Sequence, residues 1–208
     1  MQENTIQCPF RIIIDTAEGH PYTFQGIKAD AAKKNRVYIV ETERRCLGRF
    51  PFSYADYSIL GGEGRCHIER KSMDDAIGTI LGFGPGERRE RFESELENLA
   101  GIEAGLVVVE CSFTELIANA PGYDAIDCAR RYGKKSVSHN AKSLSRSVLA
   151  FMDEYKVPWL FCDDRRMAEI HAFRWLERWW RKQREKEKAE EKAAKRQLAF
   201  VGEGVQVA

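Results

Sequence analysis

The sequence predicts an α/β domain built on a mixed sheet covered by helices, and three observations carry that expectation. Short β-branched runs of strand length, "RIIID" and "GLVVVECS" above all, alternate with stretches of helical periodicity. Glycine-rich breaks such as "GGEG" and "GFGPGE" separate them. A hydrophobic content of 43% over 208 residues supplies one substantial core with an appendage.

The elements follow in order. "RIIID", from Arg11 to Asp15, suits a buried strand whose C-terminal end meets a polar site. "RVYIVETE" from Arg36 is a second strand signal and "FSYADYSIL" a third. The "GGEG" turn, Gly61 to Gly64, makes "RCHIERK" the next strand, antiparallel to the one before it. Ser72 with Asp75 three residues on fits a helix cap before "AIGTI", and acids there suit the helix dipole. "RRERFESELENLAG" places Phe92, Leu96 and Leu99 on one helical face and ends at Gly101. "GLVVVECS" is a central strand. The polar, breaker-rich segment Pro121 to Lys142 is a loop or mobile insertion, and "SLSRSVLAFMDEYKVPWLFCDD" reads as helix, Pro158 and a short buried strand.

From Arg165 a long helix carries an apolar stripe of Met167, Ile170, Phe173, Leu176 and Trp180, which docks on the domain. Its charged continuation interleaves acids with bases, as a solvated helix does. The expected division is residues 1–164 for the domain and 165–208 for the helical extension and tail.

Composition narrows the function classes. The net charge of +1 neither demands nor excludes nucleic acid, so a basic surface has to be local. The six cysteines, Cys8, Cys46, Cys66, Cys111, Cys128 and Cys162, form no CxxC pair and have no histidine at zinc-finger spacing, so reduced thiols are expected. "MQENTIQCPF" lacks the layout of a signal peptide, and no apolar run approaches the ~20 residues of a membrane helix. A cytoplasmic protein without a membrane partner is the expectation.

The chemistry concentrates in "HIERKSMDD". On a strand His67, Glu69 and Lys71 share one face, while Cys66, Ile68 and Arg70 share the other. A carboxylate beside a lysine suits metal-dependent phosphodiester hydrolysis: the acid holds a divalent cation and the lysine stabilises developing charge or orients water. Asp56 lies on the preceding strand, and the hairpin brings it towards Glu69, giving a two-carboxylate site for Mg²⁺ or Mn²⁺.

The constellation matches the nuclease signature Gly-Asp-x(n)-Glu-Arg-Lys-x₃-Asp. It reads here as "ADYSILGGEGRCHIERKSMDD", with Asp56, Glu69, Arg70, Lys71 and Asp75 in place. The match extends to "IIIDTAE" upstream and to "RERFESELENL" and "GLVVVE" downstream. The chain thus resembles the XPF-type nuclease domains, in their short bacterial and phage-like form, from about Arg11 to Asp164. That resemblance implies a restriction-endonuclease-like fold and cutting of branched or junction DNA with Mg²⁺ or Mn²⁺, in repair, recombination or replication. It makes Asp56 and Glu69 metal ligands, Lys71 the catalytic lysine, Asp15 a further acid near the site, and Arg70 structural or DNA-facing. Asp75 belongs to the signature, although helix capping accounts for it without chemistry.

Two departures stand out. Ala55 replaces the glycine before the aspartate, and Ala17 in "DTAE" replaces an arginine, removing bidentate donors for phosphate. The family's tandem helix-hairpin-helix module is not visible after Arg165. DNA affinity then falls to the nuclease face, to the tail, or to the basic segment with Arg130, Arg131, Lys134 and Lys135. The resemblance also suggests a homodimer. The rival expectation is a catalytically inactive DNA-binding scaffold of the same fold.

Overall fold

A computed structural model describes residues 4–29, 36–48, 55–82, 87–120 and 139–203, the side chains of residues 139 and 198–203 excepted. In chain order the strands are β1 (Thr5–Gln7), β2 (Ile12–Asp15), β3 (Val37–Ile39), β4 (Thr42–Arg45), β5 (Tyr57–Ile59), β6 (Cys66–Lys71), β7 (Ala104–Val109) and β8 (Trp159–Phe161). Helices α1 (Met73–Leu81) and α2 (Arg88–Ala100) fall between β6 and β7. Helices α3 (Phe113–Ala118) and α4 (His139–Tyr155) precede β8, and α5 (Arg165–Glu203) follows it.

The main sheet has the order β4-β2-β5-β6-β7-β8. Its middle strand β5 runs antiparallel to both neighbours, and the other pairings are parallel. The architecture is therefore the expected mixed α/β sheet flanked by helices, with a long charged C-terminal helix. Both faces of the sheet are covered, which explains why "IIID" and "LVVV" are buried throughout rather than alternating. Under α5 lie Ile12, Ile14, Ile68, Leu106 and Val108. On the opposite face Val107 and Val109 meet Ile77, Phe92, Leu96 and Phe151 from α1, α2 and α4.

Local chemistry sets the boundaries. Ser72 caps α1 by accepting from the Asp75 N–H at 3.2 Å, and Gly82 closes the helix in a left-handed turn. Ser112 and Glu115 form a reciprocal capping box on α3. The hairpin turn needs Gly62, where an added Cβ would lie 2.4 Å from Ile59 and 2.7 Å from Trp179 of α5.

Three expectations change in detail. "RVYIVETE" is not one strand: β3 pairs with β1 in a separate two-stranded sheet, and β4 joins the main sheet beside β2. Helix α4 already begins at His139, inside the segment expected to be a loop. The buried stripe of α5 is Ala168, Ala172, Phe173, Leu176 and Trp179, while Met167 is 38% exposed. The alanines let the helix axis approach the sheet closely, rotating the contact face away from Met167. The described cysteines are free thiols. Among the described residues no helix is long and apolar enough to cross a membrane.

Candidate active site

The hairpin of β5 and β6 assembles the acids. Asp56 immediately precedes β5, its N–H donating to Ile68 O at 3.0 Å, and its Oδ2 accepts from the Arg70 N–H at 2.7 Å. Strand alternation turns Glu69 and Lys71 to the face under α1 and α2, where they meet Asp56, Asp75 and Glu95 at an open cavity of about 380 Å³.

Lys71 is the hub. Its Nζ lies 2.7 Å from Glu69 Oε1, 3.3 Å from Glu95 Oε2 and 3.6 Å from Asp75 Oδ2, above the Phe92 ring at 4.6 Å. Burial works against the ammonium, but Glu69, then Glu95 and Asp75, more than offset it and raise its pKa. The acids show the opposite strain. Burial pushes Asp56 up to about 7, the Arg70 N–H offsetting only part, and burial followed by the Asp56 charge raises Glu69 well above the carboxylate range. Two carboxylates held this way repel each other and favour a positive ion between them.

The donor set fits a hard divalent cation. Asp56 Oδ1 and Glu69 Oε2 make no hydrogen bond among the described residues, because Arg70 N and Lys71 engage the other oxygen of each. Mg²⁺ or Mn²⁺ is held by one or two carboxylates with water and phosphate oxygens completing the shell. Among the described residues no group of three or more His, Cys, Asp or Glu is arranged to hold a metal by itself.

The remaining candidates separate. Asp15 is 8% exposed and both its oxygens are occupied by backbone: Oδ1 accepts from Leu47 N at 2.6 Å and Oδ2 from Ala17 N at 2.9 Å. It pins the β2 and β4 ends together rather than facing the cavity. Strand alternation turns the Arg70 side chain to the other side of β6 from Glu69 and Lys71, and Arg70 and Glu18 also line the cavity. The Arg70 guanidinium joins Glu18 (2.8 Å) and Glu110 (3.1 Å), and Glu110 in turn holds Arg165 at 2.7 Å. Asp75 pairs through its side chain with Arg88 at 2.5 Å and faces Lys71 at 3.6 Å, while only its backbone N–H takes part in the Ser72 cap. His67 shares the Glu69 face but is fully buried, its Nε2 accepting from Gly64 N at 2.8 Å within the turn. Arg130, Arg131, Lys134 and Lys135 lie outside the described residues.

Glu95 and Glu18 also line the cavity, although the motif does not single them out. Glu95 carries a signal of its own: a carboxylate set among Phe92, Leu96 and Leu99 on the apolar side of α2 needs a cation, and Lys71 supplies it. Glu18 gives no comparable signal, because its partner Arg70 is far along the chain.

No protein-family model matches this sequence, and no curated protein matches it. Solved structures of XPF from Aeropyrum pernix are similar to it. The complex with DNA has a TM-score of 0.48 and 15% identity, covering 81% of this chain and 64% of that one. The other has a TM-score of 0.48 and 14% identity, covering 95% of this chain and 75% of that one. The chain thus spans 64% of the length of the DNA-bound structure.

Proposed function

We propose that this chain is a metal-dependent DNA endonuclease acting on branched or junction DNA. One observation carries the reading: Asp56 and Glu69, both driven towards the protonated state, face an open cavity beside a lysine clamped among three carboxylates. DNA as substrate and the preference for junctions rest on the signature in "ADYSILGGEGRCHIERKSMDD".

In this reading Asp56 and Glu69 hold Mg²⁺ or Mn²⁺, which supplies an activated water and neutralises developing phosphate charge. The protein does the rest. Lys71, kept protonated by its acidic neighbours, presents an ammonium to the pentacovalent phosphate. Glu95 and Phe92 hold that ammonium in place when Glu69 turns its charge elsewhere. Arg70 fixes Asp56 through its backbone N–H while its side chain anchors the strand to α5.

The test is cleavage of end-labelled flap, fork, four-way-junction and linear duplex DNA with Mg²⁺, Mn²⁺ or EDTA, alongside Asp56→Asn and Glu69→Gln. Metal-dependent cutting that drops about a hundredfold or more in both folded variants supports the reading. Cutting that persists in EDTA, or in both variants, overturns it. The scaffold alternative is favoured by Ala17, which presents no guanidinium to the cavity it lines. DNA binding without cutting by folded wild-type protein is its signature.

A further inference from the structure

We propose that Arg91 is a phosphate-positioning residue, gripping the DNA backbone beside the bond that is cut. The inference rests on the nuclease reading and adds a residue that neither the signature nor the fold assigns.

The argument comes from charge pairing around the cavity. Arg70 is committed to Glu18 and Glu110, Lys71 to Glu69 and Glu95, and Arg88 to Asp75. Arg91 lines the same cavity, is exposed, and has no carboxylate partner among the described residues. Its isolation has a physical cause. On a helix the natural partner of Arg91 is the acid one turn on, Glu95, as Arg89 finds Glu93 at 2.9 Å on the same helix. Glu95 instead turns to Lys71. The lysine takes the carboxylate and leaves a guanidinium unengaged at the rim.

A guanidinium without a carboxylate partner among the described residues matters here because the other arginines and the lysine lining the cavity are each matched by an acid. An approaching polyanionic strand therefore gains attraction from a cation that owes nothing to those acids. A guanidinium also carries parallel N–H donors that match two phosphate oxygens, fixing the strand's position as well as its affinity. Arg91 stands one helical turn from Glu95, which touches Lys71, so the phosphate it grips adjoins the reacting one.

The experiment measures two quantities for wild type, Arg91→Ala, Arg91→Lys and a distant control, Lys156→Ala. They are the salt dependence of fork-DNA binding in Ca²⁺ and the single-turnover cleavage rate in Mn²⁺. In Arg91→Ala the slope of log K against log[salt] is expected to shrink by about 0.9, the loss of one phosphate contact. Its cleavage rate should fall at least about tenfold, as a misplaced reacting group dictates. Arg91→Lys should restore the slope but only part of the rate, and the control should match wild type. Wild-type slope and rate in Arg91→Ala overturn the proposal, as does a smaller slope with an unchanged rate. If wild type binds without cutting, the nuclease reading falls on the cleavage arm. Positioning for catalysis then falls with it, whatever the slope. If wild type binds none of the DNAs, both readings fall.

Discussion

Asp15 and Asp56 are backbone neighbours, the Asp15 N–H donating to Asp56 O at 2.8 Å, yet their carboxylates are used in opposite ways. Asp15 spends both oxygens on Leu47 and Ala17 amides, whereas Asp56, which lines the cavity, has one oxygen without a hydrogen bond among the described residues. Asp15→Ala is therefore expected to lower stability by roughly 2–4 kcal/mol, because it strands two amides that a charged acceptor now satisfies. Urea melts measure that loss, and the folded variant should still cut DNA within about tenfold of wild type. Loss of cutting without loss of stability would return Asp15 to the active site. The acid at the end of "RIIID" was read as a group near the site. Its satisfaction by Leu47 was not legible, because that amide arrives from beyond β4.

Helix α5 shows what periodicity conveys and what it leaves open. A stripe through Phe173 and Leu176 was readable, and both are fully buried. The exact face was not, since Ala168 and Ala172 are small and carry little hydrophobic signal, yet decide how closely the helix approaches the sheet. Leu176→Ala should cost about 2–5 kcal/mol, while Met167→Ala should stay within about 1 kcal/mol, both read from chemical denaturation. Equal costs would restore the face read from the larger residues. The strands show the same boundary. β2 and β7 were legible because their apolar patterns stand alone, and β6 because the "GGEG" turn sets it off, whereas β1 is a three-residue strand that exists by pairing with β3. The division of "RVYIVETE" depends on two different partners, which no local pattern records.

At the scale of the whole molecule, stability couples to pH through groups that pull in opposite directions. Burial lowers His67 to about 4 from 6.5, so its contribution is complete above pH 6.5 and is lost as pH falls towards 4. Burial raises Asp56 to about 7 from 3.8, so its contribution is complete at low pH and is lost as pH rises towards 7, and Glu69, raised by burial and the Asp56 charge, acts in the same direction. Two acids outweigh one imidazole, so in EDTA the urea midpoint of wild type should fall between pH 5 and 6.5. In the Asp56→Asn, Glu69→Gln double variant it should rise instead, exposing His67. A midpoint that falls equally in both would locate the pH dependence elsewhere. Much of the candidate site was written in one stretch of chain because the acids and the lysine share a hairpin. Glu95 and Arg91 come from α2, and the pairing of Glu95 with Lys71, which withholds that acid from Arg91, became visible only once the helix was laid over β6.

That hairpin also sets a timetable. Asp56 to Lys71 emerge from the ribosome together, and a hairpin closes in roughly 1–10 μs. Arg165, where α5 begins, follows Lys71 only after on the order of 5–20 s of translation. During that interval the nascent chain can bring its repelling acids together while Ile68 and Gly62 lack the helix that covers them. The candidate site is thus drafted early, and the helix that seals its underside is made later.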